Sequence, residues 1–266
     1  MGFYGMYLYI APSLPQMTTL KKAPLLKPLQ VYSADNQLIS EYGGKLSVPV
    51  DYDQIPRSFI HAFLAAEDSS FFEHSGISFK GLGRAVSESI TGSNVQTGGS
   101  TITMQVARNV YLSSERTFSR KIYEVLLTFK LEHMLTKDQI LEIYMNQIYL
   151  GNRAYGFAAA SETYFGKPLK DISIAEAAML AGLPKAPSAY NPVANPSRAR
   201  SRQLYIIERM EDIGFITAEQ ATEAKAEKLV IRSGSDGTRI HADYVAEMVR
   251  QLISAQYGAE VYTRGL

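Results

Sequence analysis

An apolar run from Phe59 to Ala66 ends on two adjacent carboxylates and opens the decapeptide Glu67-Asp68-Ser69-Ser70-Phe71-Phe72-Glu73-His74-Ser75-Gly76. The run reads as the end of a helix. A carboxylate pair where a hydrophobic helix stops is costly unless something uses it. Burial raises a carboxylate's pKa, and a neighbouring charge drives two such groups apart. The product is a group suited to taking or giving a proton. The decapeptide alone is also readable as a solvated helix end, with His74 as a local hydrogen-bonding residue, so the chain downstream has to decide.

Asp53 as a cap, Pro56 in the first turn and the stripe Phe59, Ile60, Phe63 and Leu64 predict a helix leading into Glu67. A second helix is predicted over Lys80–Ile90. The segment Gln96–Gln105 reads as a Gly-rich turn entering another. Phe118, Ile122, Val125 and Phe129 recur at helical spacing, which predicts a long amphipathic helix over 117–134. Three capping boxes open further helices, at Thr136–Gln139, Ser173–Glu176 and Thr217–Gln220. The first of these helices ends near Tyr149, and the second is stopped by Gly182 and Pro184. Asn195-Pro196 opens a helix to Ile213 that Gly214 closes, and Asp243–Tyr257 forms the last one. Two short runs, Val31–Ser33 and Leu38–Tyr42, flank Asp35-Asn36 as a hairpin, with a third short strand over Ser47–Val50. Strands and helices do not alternate, which argues against a parallel sheet and for a mainly α body.

With 266 residues the chain can bury a substantial core, as one large domain or one domain with a small module. The net charge of +1 gives no global field for nucleic acid. Without cysteine there are no disulfides or thiolate metal sites. The four histidines, His61, His74, His133 and His241, are scattered, against a histidine metal site. Residues 2–11 are apolar and aromatic and stop at Pro12. They are fewer than the roughly 20 needed to span a bilayer and lack the flank and cleavage site of a signal peptide. They read as the outer end of a truncated spanning helix with tyrosines at interface depth, or as an ordinary packed segment. The expected organisation is this stub over 1–11, a linker and small β element over 12–52, the main domain over 53–232, and a helical segment over 233–266.

Two further clusters could carry chemistry. Gly98-Gly99-Ser100-Thr101 sets flexible residues and hydroxyls at a helix start, where free N–H groups and the helix dipole suit an anion, and Arg108 follows in the same segment. Most such turns are only turns. Arg116, Arg120 and Glu124 are spaced by four and share a helix face that Lys121 borders. That pattern fits a solvated salt-bridge ladder, or a cationic clamp for phosphate with a carboxylate held in its field.

Taken in order, five motifs resemble the peptidoglycan glycosyltransferases, the glycosyltransferase module of class A penicillin-binding proteins. They are Glu67-Asp68-x-x-Phe71-x-x-His74-x-Gly76, Gly99-Ser100-Thr101-Ile102-Thr103, Arg120-Lys121-x-x-Glu124, Ile140-Leu141-Glu142-x-Tyr144-x-Asn146-x-x-Tyr149-x-Gly151, and Tyr164-Phe165-Gly166-Lys167 followed by Glu176-Ala177-Ala178 and Pro187 to Pro192. The match covers about residues 55–215, and the hairpin and apolar stub resemble the 1A type within that class. The family usually has two glutamines where this chain has Met104-Gln105, which puts that local contact in doubt.

The resemblance implies a mainly α, lysozyme-like two-lobed glycosyltransferase fold with a small N-terminal β element. It implies polymerisation of lipid II into β-1,4-linked glycan, with inversion at the anomeric carbon and release of undecaprenyl pyrophosphate. Glu67 matches the family's general base and Glu124 its second glutamate, which assists the leaving group directly or through a divalent cation, Mg or Mn. No organic cofactor is implied. Ser100, Thr101, Gln105, Arg108, Arg116, Arg120 and Lys121 are the candidate substrate-binding residues, and Asp68, Phe71, His74, Gly99 and Asn146 are expected to shape the site. The implied partners are lipid II and the growing glycan, the membrane, moenomycin-type inhibitors and other cell-wall synthesis proteins. The implied location is the bacterial inner membrane, with one N-terminal anchor and the catalytic domain on the periplasmic side. A membrane-facing surface is expected over Asn109–Phe118.

Neither Ser-x-x-Lys nor Lys-Thr-Gly occurs, so acyl-serine chemistry and covalent penicillin binding are not expected, and 233–266 is read as leading to an absent transpeptidase domain. The alternatives are a muramidase or lytic transglycosylase of shared fold, and a catalytically silent membrane-docking module. A glycan hydrolase has little use for the Arg and Lys cluster, and intact Glu67 and Glu124 argue against a silent module.

Overall fold

Apolar stripes from eight of the described helices enter one core, and the order in which they pack fixes where the polar residues of the motifs emerge. The computed structural model describes residues 29–36, 38–42, 46–78, 83, 99–111, 118–232 and 243–257. Strand β1 (Leu29–Tyr32) and strand β2 (Leu38–Tyr42) form the expected antiparallel hairpin, turning through Asn36 at φ 60°. Asparagine tolerates that left-handed geometry better than most residues.

The third strand differs from expectation. Strand β3 is only Leu46–Ser47, and it pairs in parallel with β4 (Ala154–Tyr155) far along the chain instead of extending the hairpin. Val50 cannot continue the ladder because both its backbone groups are taken by one side chain. Asn146 Oδ1 accepts from Val50 N at 2.9 Å, and Asn146 Nδ2 donates to Val50 O at 2.8 Å.

Helix α1 (Arg57–Glu67) begins later than an Asp53 cap would place it. Asp51 and Gln54 close their own capping box around the short turn Tyr52–Gln54, and Pro56 then precedes the first helical residue. Helix α2 (Ile102–Val106) continues into one wider π-type turn, Ala107–Tyr111. Helices α3 (Phe118–Met134) and α4 (Lys137–Gln147) follow, α4 opening on the Thr136 capping box. Helix α5 (Phe157–Phe165) was not legible in the sequence, since its N-cap is Gly156 at φ 82° and no Ser, Thr, Asp or Asn announces it. Helices α6 (Ile174–Ala181), α7 (Pro196–Asp212), α8 (Ala218–Ala226) and α9 (Asp243–Tyr257) lie where the caps and breakers put them. The helix expected over 80–90 lies outside the described residues apart from Gly83.

Two packing groups result. Helix α1 lies against α6 and α7, with α8 behind them, while α2 packs on α3 and α4. Aromatic contacts tie the groups together: the Phe59 ring lies 4.7 Å from Phe157 and the Phe63 ring 4.8 Å from Tyr144, centroid to centroid. Helix α9 stands on the hairpin, with Val249 against Val31 and Ile39.

Candidate active site

Glu67 is the last residue of α1, so its side chain leaves the helix where the fully apolar face of Phe59, Phe63 and Ala62 ends. That side chain is 11 % exposed. Burial pushes its carboxyl above the usual glutamate value, and a bond from Gln105 with the charges of Arg202, Lys185 and Arg108 works against that rise. Gln105 Nε2 donates to Glu67 Oε2 at 2.7 Å, while Gln105 Oε1 accepts from the Tyr144 hydroxyl at 2.9 Å. The amide is therefore oriented by a buried phenol, whose own proton is held more tightly because of burial and the Glu67 charge. Met104, beside it, is buried as a hydrophobe, so the polar contact is made by Gln105 alone of the two positions.

The loop after Glu67 is sewn to α2 and α3. Asp68 Oδ2 accepts from His74 Nε2 at 2.8 Å and from the backbone N–H of Ile102 at 3.4 Å. Gly76 N donates to His74 Nδ1 at 3.1 Å, which leaves the proton of a neutral imidazole on Nε2, facing Asp68. Thr101 caps α2 by accepting from Met104 N, and its hydroxyl donates to Gly76 O at 2.6 Å. Gly76 has φ +92°, and a Cβ there would lie 2.7 Å from Thr128 Cγ2. Only a glycine lets the loop approach α3 so closely, one helical turn past Glu124. Phe71 is fully buried, and Lys137 Nζ lies 4.3 Å from its ring centroid while bonding Glu132 at 2.7 Å.

On α3, Glu124 is buried with a side chain 4 % exposed, and Lys121 Nζ donates to its Oε1 at 2.7 Å from a half-exposed position. Helix α2 carries Gln105, and the turn after it carries Arg108, whose charge is felt at Glu67 and Tyr144. Since α2 packs on α3, the Glu67 region and the Lys121–Glu124 region adjoin the same helix. Gly99 and Ser100 are half-buried and lead into α2. Arg116 lies outside the described residues, as does the side chain of Arg120; so do residues 112–117 of the expected membrane-facing segment. Asn146 bonds both backbone groups of Val50.

Three residues that act on Glu67 were missed in the sequence: Tyr144, Arg202 and Lys185. Tyr144 stood in a motif without a role. Arg202 Nη2 lies 4.0 Å from Glu67 Oε1, yet belongs to no motif. Its signal was a charge set against the stripe Ala199, Gln203, Ile206 and Met210 of α7. A cavity of about 550 Å³ also opens beside α1, lined by His61, Leu64, Ser69, Phe72 and Phe215 among others, but neither Glu67 nor Gln105 forms its wall. No group of three or more His, Asp or Glu among the described residues is arranged to hold a metal ion.

A model of the family described as Transglycosylase matches residues 35–211. The chain is 50 % identical over 265 residues to Penicillin-binding protein 1A of Pseudomonas aeruginosa, covering 100 % of this chain and 32 % of that protein. Against Penicillin-binding protein 1A of Escherichia coli K12 it is 46 % identical over 264 residues, covering 99 % and 31 %. The crystal structure of Penicillin-Binding Protein 1A from Haemophilus influenzae superposes with a TM-score of 0.57 at 30 % identity, covering 90 % of this chain and 25 % of that one. The chain thus spans about a third of the length of the curated relatives it matches. A family match over most of the chain, together with identities near one half, shows that this chain belongs to the transglycosylase family.

Proposed function

We propose that this chain is a peptidoglycan glycosyltransferase that polymerises lipid II into β-1,4-linked glycan strands. The observation that carries this reading is the buried Glu67 carboxylate, gripped at one oxygen by Gln105 in a chain of this family. Glu67 takes the proton of the acceptor's 4-hydroxyl as that oxygen attacks the donor's anomeric carbon. The bond from that carbon to the pyrophosphate oxygen breaks on the opposite face, so configuration inverts. A pKa raised by burial makes Glu67 a stronger base than an ordinary glutamate.

The leaving group is the larger electrostatic problem, because a departing pyrophosphate needs cations already in place. Lys121, Arg108, Arg116 and Arg120 supply them in this reading, with Ser100 as a hydrogen-bond donor. Half-exposed Lys121 can exchange Glu124 for a phosphate oxygen as the leaving group departs. Magnesium is usually held by one or two carboxylates together with substrate phosphates. The single carboxylate of Glu124 fits that pattern, and a bound ion would neutralise charge on the departing pyrophosphate.

The substrate's lipid tail implies a membrane surface, and we place the chain at the outer face of a bacterial inner membrane. Among the described residues no helix is long and apolar enough to cross a membrane. The stub over 1–11 lies outside them, and an anchor there is part of the proposal. The test supplies purified protein with lipid II, a divalent cation and detergent. Glycan polymer with release of undecaprenyl pyrophosphate is the expected result. Shortening of preformed glycan without polymer would replace this reading with a lytic one.

A further inference from the structure

The side chain of Arg202 occupies a place where an aliphatic residue would be expected. It stands three residues after buried Ala199 and four before buried Ile206 on α7, and it is 10 % exposed. A cation in such a place must be compensated. Its Nη2 donates to Ala66 O at 3.4 Å, and its guanidinium lies 5.0 Å from the Tyr205 ring and 6.0 Å from the Tyr190 ring. Its Nε is buried and has no hydrogen-bond partner among the described residues. The fold makes room for this side chain, since a Cβ on Gly182 would come within 2.9 Å of Arg202 Cγ.

We propose that Arg202 is the positioning residue of Glu67, holding the carboxylate ionised and aimed without occupying the oxygen that must take the proton. The inference rests on the proposed glycosyl transfer and adds a residue from outside its motifs. The two carboxylate oxygens are treated differently. Oε2 is bonded by Gln105 at 2.7 Å, whereas Oε1 faces Arg202 at 4.0 Å. Hydrogen bonds between such groups lie near about 2.7–3.2 Å, so the second separation is a charge contact and leaves the lone pair open. A bonded guanidinium would block that lone pair, and an absent one would leave a buried anion unsupported. The remaining groups facing Glu67 are Lys185 from the segment after α6, Arg108 from the turn after α2, and Tyr144 from α4. Among these cations Arg202 has the largest effect on the Glu67 charge.

The experiment measures kcat/KM for lipid II polymerisation against pH in the wild type and in Arg202→Met, Arg202→Lys and Gly182→Ala, with melting curves for each. Arg202→Met should displace the acid limb upward by about one pH unit, the lower end of the effect of an opposite charge at this range. At a given pH on the acid limb its kcat/KM should fall about tenfold, and the loss should recover as pH rises. Arg202→Lys should bring the limb back toward the wild-type position. Gly182→Ala pushes Arg202 away with its charge intact and should move the limb in the same direction as Arg202→Met, which keeps the idea testable if Arg202→Met does not fold. An unmoved limb in both Arg202→Met and Gly182→Ala, with loss confined to KM or to melting temperature, would overturn it. A wild-type protein that makes no polymer would instead remove the proposed function itself.

Discussion

Gln105 Nε2 lies 2.7 Å from Glu67 Oε2, and the same amide accepts the Tyr144 hydroxyl through its oxygen at 2.9 Å. Three residues from three helices thereby share one line of hydrogen bonds with the carboxylate at its end. The line fixes the amide's orientation, since a flipped amide would set a carbonyl against a carboxylate.

Glu67→Gln should abolish transfer and raise stability. Losing a general base costs on the order of 10²–10⁴ in rate. The Glu67 carboxyl is raised above 4.5 by burial, so the folded chain binds its proton more tightly than the unfolded one. Its contribution to stability is therefore fullest in acid and is lost as pH rises through the folded value. Glutamine removes that loss. A gain of about 1 kcal/mol at neutral pH, shrinking toward about pH 4, is expected in thermal melts. A melting temperature lowered at neutral pH would contradict it.

The pH–rate profile of the wild type should carry the same signature. The base works only when ionised, so kcat/KM should fall on the acid side along a limb centred above 4.5, the ordinary glutamate value. A limb at or below that value would detach Glu67 from the base role.

Gln105→Met and Tyr144→Phe should be non-additive. The first leaves a buried hydroxyl without its partner, costing about 1–3 kcal/mol, and takes from Glu67 a donor to its charged form, which moves the acid limb upward. The second keeps the ring against Phe63 and costs about 1 kcal/mol. Combined, the two should be more stable than Gln105→Met alone, because no orphan hydroxyl remains. Denaturant unfolding of the four proteins checks this.

Lys121→Met should separate rate from stability. The lysine side chain is 52 % exposed, so its ion pair with Glu124 is worth at most about 1 kcal/mol after solvent screening. Turnover should fall by about 10² or more if the ammonium meets the departing phosphate. Equal small effects on both would make the pair a surface feature.

Asn146→Asp should loosen the chain ahead of α1 without touching the carboxylates. A carboxylate in place of the amide loses the donor to Val50 O and sets negative charge against that carbonyl. The expected cost is about 2 kcal/mol. Faster amide exchange at Val50, whose N–H the side chain now holds, is the accompanying sign.

Local signals carried much of the architecture. Thr136, Ser173 and Thr217 each cap a helix as their boxes predict, because capping joins residues three apart and needs no distant partner. The stripe in α1 and the end at Glu67 were equally local. Helix α5 was missed because a glycine at positive φ opens it, and that φ is imposed by the backbone of Asn146 and Met145, which a Cβ on Gly156 would meet at 2.9 Å. The third strand was misassigned because its partner lies at Ala154, far outside any local window.

The sequence by itself determined most of the described helices, the three Ser and Thr capping boxes, the carboxylate at the end of α1 and the family to which its motifs point. Tertiary structure alone decided what that carboxylate touches. Gln105, Tyr144 and Arg202 come from separate helices, and only the packing of α1 against α6 and α7, and of α2 against α4, carries them to one place. Caps and stripes are set within a few residues, whereas burial and charge at Glu67 depend on groups that approach only when the core closes.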